Sequence, residues 1–380
     1  MKNKHELFIR TLKKIDFTVF CVDTDQKKYY DKQFGVMLPY SSGQQGKRSI
    51  MDNALEQLNL CHAPITYNFK ATKKDGKSTL EQKEITQPCD PTYFDQLLGG
   101  WMSAISKKDD KRGEKSEKTE NEDEVAVDTD KNVYKRRSPL SISALTPLHP
   151  LLATLTKEKT MTFDRSESND EVINVRDGKG SSMDEEAIKN FLETCNSKLT
   201  KRKLVSGKEG KERANGLFKQ DIVIDLRKLF RVPIVLNDME ISEETIEKMK
   251  DEGWSEINDA FGKALLLPKK YHEEYAEAIA WAIVTWRITS NQSRTFDTMP
   301  TLSIAVSNNA YEIPSAIRAE IEEVDGKTEG KLVIDTNYPN TKIYSTNLLK
   351  GYLKDAQTSY TAIEDAANYI KKVILDYYSA

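Results

Sequence analysis

The chain has 380 residues, of which 57 are lysine or arginine and 60 are aspartate or glutamate, so its formal net charge is −3. This length allows one large domain or two ordinary domains with a substantial core. The near-neutral charge excludes a protein that holds nucleic acid by bulk positive charge, but it permits local basic patches. No apolar run reaches the roughly 18 residues of a membrane-spanning helix, and the N-terminus lacks the apolar core of a secretion signal. We therefore expect a cytoplasmic protein without membrane contact.

The cysteines and histidines are too few and too scattered to predict a metal centre. The four cysteines form no CxxC pair, and the four histidines lie equally far apart. Neither a zinc site nor a nucleophile–histidine arrangement can be assigned from them. The pairs Asp23 with Asp25 and Asp221 with Asp225 are candidate metal ligands, although such carboxylates are commonly solvated or paired with cations. We expect no metal and no cofactor.

The predicted elements alternate between strand and helix along the chain. Strands are predicted at 17–24, 33–40, 64–72, 160–165, 221–230, 301–308 and 331–337. Helices are predicted at 46–60, 183–199, 271–288 and 360–378. The first two strands should pair with each other across a polar connector. This pattern predicts an α+β domain in which helices cover a mainly antiparallel sheet.

Two segments interrupt the pattern. Residues 106–132 are dominated by charged side chains and contain no aromatic residue, so they cannot bury enough apolar surface to offset their ordering entropy. They are predicted to form a disordered loop. Residues 166–216 contain only one short helical pattern and end in a basic, glycine-containing stretch. They are predicted to form an irregular basic insertion.

The segment 40–50, YSSGQQGKRSI, places hydroxyls, glycines and amides directly before a helix whose first turn contains Lys47 and Arg48. Free backbone N–H groups at a helix start, with nearby cations, form a natural phosphate site. The spacing is not that of a nucleotide-binding P-loop. An ordinary capped helix start with two solvated cations is the alternative interpretation.

The segment 135–150, KRRSPLSISALTPLHP, opens with three cations, and its prolines prevent it from forming a helix. Alternating leucines and hydroxyls predict a strand or hairpin with one apolar side. Such an element can lie along a phosphate backbone or press an apolar tip against bases. An edge hairpin protected by its own cations is an equally good interpretation.

The segment 290–300, SNQSRTFDTMP, offers amide, hydroxyl, guanidinium and phenyl groups after a long helix. This mixture suits contacts to ribose and phosphate with one stacked base, and it equally suits a hydrogen-bonded loop.

Charge is distributed unevenly along the chain. The segment 238–259 is strongly acidic, whereas 26–48 and 198–213 are basic. Separate acidic and basic faces can stack head to tail, and a contact of that kind builds open helical filaments. This pattern predicts association with further copies of the same chain.

Three motifs occur in an order that resembles one known family. They are FDQLLGGWM (94–102), VYKRRSPLSISALTPLHPL (133–151) and SNQSRTFDTMP (290–300). The chain resembles the crRNA-binding backbone subunit of CRISPR Cascade complexes, in the DevR-like branch of the RAMP superfamily. The early glycine-containing, basic helix start also fits this resemblance.

The resemblance implies an RRM/ferredoxin-like palm that is a single domain over 1–380, built from discontinuous segments. It implies a fingers-like insertion at 62–132, which includes the disordered 106–132, and a β-hairpin thumb at 133–165. The implied function is not enzymatic. The chain would bind crRNA, polymerise along its spacer with other Cascade subunits, and support recognition of a target nucleic acid, expected to be DNA.

The resemblance also implies which residues contact RNA. They are Ser42, Gln44, Lys47, Arg48, Trp101, Met102, Arg136, Arg137, Gln292, Ser293 and Arg294. The residues at the helix start would contact phosphates, the two thumb arginines would clamp the backbone, and the late loop would contact ribose or phosphate. Trp101 and Met102 would pack against a base, although a place in the core suits them equally well.

Two alternatives remain open from the sequence. In the first, the chain is a backbone subunit that cleaves target RNA with a metal, and Asp23, Asp25 or Asp95 is its catalytic aspartate. In the second, it is an αβ assembly scaffold that binds no nucleic acid.

Overall fold

The computed structural model describes residues 4–20, 26–74, 77–106, 131–158, 174–195, 211–235, 240–288 and 296–379. The strands are β1 Glu6–Thr18, β2 Lys28–Asp31, β3 Val36–Pro39, β4 Thr66–Lys74, β5 Lys77–Thr86, β6 Trp101–Ser106, β7 Lys131–Arg136, β8 Leu140–Ile142, β9 Thr146–Pro147, β10 Ala153–Glu158, β11 Lys211–Asp225, β12 Arg231–Pro233, β13 Ser255–Asp259, β14 Gly262–Leu266, β15 Thr301–Ser307, β16 Ile317–Val324, β17 Lys327–Ile334 and β18 Thr341–Ser345. The α-helices are α1 Gly43–Leu58, α2 Phe94–Gly99, α3 Glu185–Thr194, α4 Glu243–Asp251, α5 His272–Thr285, α6 Glu312–Ala316 and α7 Ala362–Ser379.

A seven-stranded sheet forms the centre of the fold. Its main order is β10–β11–β1–β15–β18, and β8 and β9 also pair with β11. All of these pairings are antiparallel. The expectation of a mixed α/β chain with a main antiparallel sheet is therefore confirmed, whereas the RRM-like palm stays a prediction.

Hydrophobic clusters lie on both faces of this sheet. Alternate residues of β1 point to opposite faces, so Ile9 joins one cluster and Leu12 joins the other. The first cluster includes Ile50 of α1, Ile279 of α5 and Ile370 of α7. The second cluster is built with residues of α6, β16 and β17. The long helices therefore cover one face, and the short helix and the β16–β17 hairpin cover part of the other.

The expected early strand is corrected. The central strand is Glu6–Thr18 rather than 17–24, and the strand Val36–Pro39 pairs with Lys28–Asp31, inside the expected connector. The charged residues of β1 interrupt its apolar alternation, so a prediction based on apolar periodicity did not identify this strand. Arg10 is one of them, and its Nε donates to Asp221 on the neighbouring strand at 2.6 Å.

The segment 133–165, expected to form a separate thumb-like hairpin, has a different place where it is described. Strands β8, β9 and β10 all pair with β11, so they form one edge of the central sheet. The physical reason is that β11 is long and offers its free edge to all three. Residues 159–165, including the whole strand expected at 160–165, lie outside the described residues.

The other insertions are described only in part. Residues 107–130, most of the charged segment, lie outside the described residues. Of the segment 166–216, the last residues are not irregular but begin strand β11. Gly216, the last residue of this segment, has a φ of +124°, and a Cβ there would lie 2.2 Å from the carbonyl oxygen of Leu152. Glycine therefore allows β11 to pass close to the residues that precede β10.

The helices predicted at 46–60, 271–288 and 360–378 are confirmed as α1, α5 and α7, and α3 falls within 183–199. Within the described residues, no helix is long and apolar enough to cross a membrane.

One lysine lies inside the core. Lys13 is 1% exposed, and its Nζ donates to the carbonyl oxygens of Trp286 at 2.8 Å and Met299 at 3.3 Å. It also donates to the hydroxyl of Thr301 at 3.0 Å. Burial lowers the pKa of Lys13 to about 7, and the charge of Asp297 opposes this effect only in part. Lys13 thereby ties β1 to the end of α5 and the start of β15.

This buried amine makes stability depend on pH. Between a folded pKa of about 7 and an unfolded value of 10.5, the unfolded chain binds a proton that the folded chain lacks. We expect the free energy of unfolding to rise with pH across this window, by up to about 1.4 kcal/mol per pH unit. Denaturant unfolding at about pH 7, 8 and 9 measures the rise.

Lys13→Met should flatten that rise, whereas Lys14→Met, at the neighbouring exposed lysine, should retain it. An equal slope in the two variants would contradict the assignment to Lys13.

Candidate nucleic-acid interface

The motifs at 94–102 and 133–151 meet at the turn between α2 and β6. Gly100 has a φ of +69°, and a Cβ there would lie 2.4 Å from the carbonyl oxygen of Arg136 and 2.7 Å from the backbone nitrogen of Ser138. Only glycine fits this left-handed backbone and this close approach. The Ser138 hydroxyl also donates to the Leu98 carbonyl at 2.6 Å. The two segments are therefore locked together, as their pairing as β6 and β7 also shows.

Arg136 lies inside this junction. Its side chain is 0% exposed and its Nη1 is 2.6 Å from a carboxylate oxygen of Glu240. The guanidinium also donates to the carbonyl oxygens of Leu97, Lys228 and Arg231. All three guanidinium nitrogens are engaged within the protein. This placement corrects the expectation that Arg136 clamps an RNA backbone, because its donors face the interior.

Trp101 and Met102 are neighbours on β6 but differ in burial. Trp101 is partly buried against the core, and its indole N–H donates to the Glu240 carbonyl at 2.9 Å. Met102, the next residue on β6, is 75% exposed. Successive residues of a strand point in opposite directions. Trp101 therefore takes the core position, and Met102 is the one that faces outward.

The start of α1 is an ordinary capped helix terminus with exposed neighbours. Ser42 is the N-cap, and its side chain accepts a hydrogen bond from the backbone N–H of Gln45. Gln44 is exposed. A Cβ at Gly43 would lie 2.5 Å from the carbonyl oxygen of Ile142. The helix start therefore sits directly against the end of strand β8.

The two cations of α1 have different environments. Lys47 is partly buried, and its Nζ donates to the Gly99 carbonyl at 2.8 Å. Burial lowers the pKa of Lys47. The Arg48 side chain is 72% exposed and is 3.5 Å from Asp52. Lys47 thus supports the glycine turn, whereas Arg48 is available to solvent.

Strand β8 connects these positions along one edge of the sheet. Arg137 is exposed before β8, Ser141 is exposed within it, and Ser143 is exposed after it. At about 3.3 Å per residue, this stretch is at most about 20 Å long. We call the exposed set Gln44, Arg48, Arg137, Ser141 and Ser143 the β8 rim. It presents an amide, two guanidinium groups and the Ser141 hydroxyl, whereas the Ser143 hydroxyl donates to the Ala144 carbonyl and accepts from the backbone N–H of Asp221.

A cleft of about 620 Å³ adjoins the rim, and its lining includes Arg137, Ser141 and Lys228. Two further cations of the lining are engaged, Arg227 with Asp225 and Arg231 with Asp259. Within the part of the chain that the structure describes, Arg137 and Lys228 form no side-chain ion pair. They are the cations of the cleft available to an anionic ligand.

The remaining candidates are placed as follows. Gln292, Ser293 and Arg294 lie outside the described residues, as do Asp23 and Asp25.

Asp95 accepts a hydrogen bond from the backbone N–H of Ala63 at 3.0 Å and lies 3.1 Å from a ring nitrogen of His62. Asp221 is paired with Arg10, as Asp225 is with Arg227. Among the described residues, no group of three histidine, cysteine, aspartate or glutamate side chains is placed to hold a metal ion.

The strand predicted at 64–72 is confirmed as β4, but sequence reasoning missed its partner β5 and the exposed face of the hairpin they form. Tyr67 and Phe69 on β4 are 55% and 53% exposed, and Leu80 and Ile85 on β5 are 70% and 56% exposed. Tyr67 pairs with Ile85, and Ala71 pairs with Leu80, so these side chains share one face. The signal was present as alternation in TYNFKAT, at 66–72. The hairpin presents an apolar face to solvent.

Replacing Gly100 with alanine should lower the free energy of unfolding by about 2–4 kcal/mol, because the backbone is left-handed and the methyl group meets the Arg136 carbonyl. Gly99→Ala is the matched control, since its Cβ would approach nothing closer than the Met51 methyl at 3.9 Å. Denaturant unfolding compares the two variants. Equal stability would show that the turn does not depend on glycine.

No family model matches the sequence, and no curated protein matches it either. Among solved structures, a chain of a "CRISPR RNA-guided surveillance complex" is 7% identical with a TM-score of 0.40, over 97% of this chain and 98% of that chain. A chain of a "CRISPR RNA-guided surveillance complex, pre-nicking" is 8% identical with a TM-score of 0.39, over 80% of this chain and 78% of that chain. Likeness at this level carries no argument for function.

Proposed function

We propose that this chain is a guide-RNA-binding backbone subunit of a CRISPR surveillance complex of the Cascade type. In this proposal it binds crRNA through the β8 rim and repeats along the spacer with further copies of itself and other Cascade subunits. The target nucleic acid, expected to be DNA, is recognised by pairing with the guide. The observation that carries the proposal is that the start of α1, which carries the exposed Gln44 and Arg48, sits directly against the end of strand β8.

The rim has the chemistry that a nucleic-acid backbone requires. Arginine guanidinium groups bind phosphate oxygens in a fixed, bidentate geometry, and Arg48 and Arg137 are the exposed arginines of the rim. The exposed side chains of Ser141 and Gln44 can donate to phosphate or ribose oxygens. Contacts of this kind carry no sequence information. That property suits a protein that must hold any guide sequence.

The start of α1 adds a favourable electrostatic contribution. Backbone N–H groups of the first turn of a helix attract anions. Ser42 satisfies one of these groups, that of Gln45, and Gln44 and Arg48 lie on the same exposed turn. A phosphate at the rim would therefore meet the N–H groups, the amide and the guanidinium together.

We further propose that the β4–β5 hairpin, rather than the segment 133–165, presses against bases. Exposed aromatic side chains stack on bases of any sequence, and each stack contributes about 1–3 kcal/mol. Tyr67 and Phe69 supply such side chains on one face of the hairpin. The described part of 133–165 is committed to the sheet edge and offers no comparable apolar face.

A catalytic role is not part of this proposal. Asp95 is the described aspartate of the cleavage alternative, and its carboxylate is occupied by the backbone N–H of Ala63 and by His62. Those contacts support a structural role at the start of α2.

The rim predicts how substitutions change RNA binding. The double variant Arg48→Ala/Arg137→Ala should weaken binding to a single-stranded RNA of guide length by at least about tenfold, because two phosphate contacts are lost. The slope of log affinity against log salt should decrease by about 1.4, since each contact to a single strand contributes about 0.7. Fluorescence anisotropy over a salt series measures both quantities.

Lys350→Ala/Lys354→Ala is the matched control for charge, because these exposed lysines follow β18 at the opposite edge of the sheet. It should leave affinity and salt slope nearly unchanged. Equal losses in the two double variants would indicate non-specific attraction. Absence of RNA binding by the parent protein at low salt would leave the scaffold alternative as the better account.

If the β4–β5 hairpin contacts bases, substitutions in it should reduce RNA affinity independently of the β8 rim. Tyr67→Ala/Phe69→Ala should weaken RNA binding by about tenfold or more through lost stacking and should leave the salt slope unchanged, because no charge is removed. Asn68→Ala, on the opposite face of β4, is the control and should bind like the parent. A normal affinity in the aromatic double variant would exclude the hairpin from base contact.

A further inference from the structure

A second cleft lies away from the β8 rim, where the starts of α2 and α5 approach the turn after α4. Its volume is about 470 Å³, which is within the range of small-molecule sites. Its wall is aromatic and contains Tyr93, Tyr271, Tyr275 and Trp254. We call this site the aromatic cleft. None of its lining residues belongs to the β8 rim.

One polar group of this wall lacks a partner. Tyr275 is 8% exposed, and among the described residues its hydroxyl forms no hydrogen bond. Burial raises the pKa of Tyr275 to about 12, so the hydroxyl keeps its proton and can donate. The hydroxyl is not one of the fully buried side-chain atoms that lack a partner, so it is accessible from the open space of the cleft. An acceptor atom of a ligand in the cleft could take its hydrogen bond in place of water.

The aromatic wall favours a flat ligand. The rings of Tyr271 and Tyr275 are stacked, with centroids 5.5 Å apart and an interplanar angle of 25°. Trp254 and Phe94 line the same cleft and are almost fully buried. A planar heteroaromatic ring can stack on such a wall and still offer acceptor atoms at its edge.

The rim of the cleft favours an anionic group on that ligand. Lys270 is exposed, and its Nζ lies 4.8 Å from the centroid of the Tyr271 ring. Glu252 also lines the cleft and lies 3.8 Å from Lys248, whose nearer partner is Asp90 at 2.6 Å. Lys270 can therefore hold a phosphate beside the stacked ring, while Glu252 can accept from an exocyclic amino group.

We propose that the aromatic cleft binds a nucleotide whose base carries an amino group. The base stacks on the tyrosine wall and accepts a hydrogen bond from the Tyr275 hydroxyl, and its phosphate contacts Lys270. The nucleotide is either free or part of a single strand. This inference goes beyond guide binding at the β8 rim and does not depend on it.

Cys61 provides a direct test, because its exposed thiol lines the cleft. The full-length protein is treated with iodoacetamide, and alkylation rates of Cys61 and of the exposed Cys195 are read by mass spectrometry. Adenosine monophosphate should slow alkylation of Cys61 by about tenfold at ten times its Kd. Alkylation of Cys195 should not change, since it does not line the cleft.

A short single-stranded RNA serves as the second probe. Protection by the mononucleotide identifies a free-nucleotide site. Protection by the RNA alone identifies a site for one nucleotide of a strand. Protection by neither overturns the proposal, whatever the result at the β8 rim.

Two variants separate specific binding from general shielding of the thiol. Lys270→Ala, at an exposed residue, should abolish most of the protection, and Tyr271→Ala should do the same. Lys269→Ala is the matched control, because this neighbouring exposed lysine does not line the cleft. If the Lys270→Ala variant were protected over the same range of nucleotide concentration as the parent protein, the proposal would also be overturned.

Discussion

The buried ion pair between Arg136 and Glu240 is the interaction on which the candidate interface depends. Removing two charges from water is costly, and a buried pair is tolerated only when further hydrogen bonds complete it. Here the carbonyl oxygens of Leu97, Lys228 and Arg231 complete it. These contacts connect α2, strand β7 and the start of β12 at one point. Loss of either partner would leave an unpaired charge in the core. The contacts of Arg136 therefore fix the backbone at this junction, and the side chain of Arg137, the next residue, points to solvent.

Apolar periodicity predicted α1, α5 and α7 because their buried faces repeat at helical spacing along one local segment. It failed at β1, where Arg10 and Lys13 are buried with partners more than two hundred positions away. No local pattern contains those partners. The motifs singled out 94–102 and 133–151 without indicating that the two segments meet, and they could not distinguish Arg136 from Arg137. That choice depends on strand pairing with Trp101, which sends one side chain inward and the next one outward.

The β8 rim and the aromatic cleft are joined by one short element. Helix α2 begins beside Tyr93, which lines the cleft, and ends at the glycine turn that holds Arg136 in place. Six helical residues span only about 9 Å. A shift of α2 that accompanied occupation of the cleft would therefore reach the turn, where Gly100 packs too closely against the Arg136 carbonyl to allow even a Cβ.

The position of β1 in the sheet also constrains how the chain acquires its fold. Thr11 pairs with Gln220 on one side and with Ile304 on the other, so β1 is completed by a strand that follows it much later in the chain. At about 5–20 residues per second, synthesis of the intervening length takes on the order of 15–60 s. Until β15 has been made, the edge of β1 that pairs with it has no partner, whereas β11 can already cover the other edge. Assembly on the ribosome therefore exposes this strand to aggregation, and a chaperone or an early binding partner that covers it would raise the yield of folded protein.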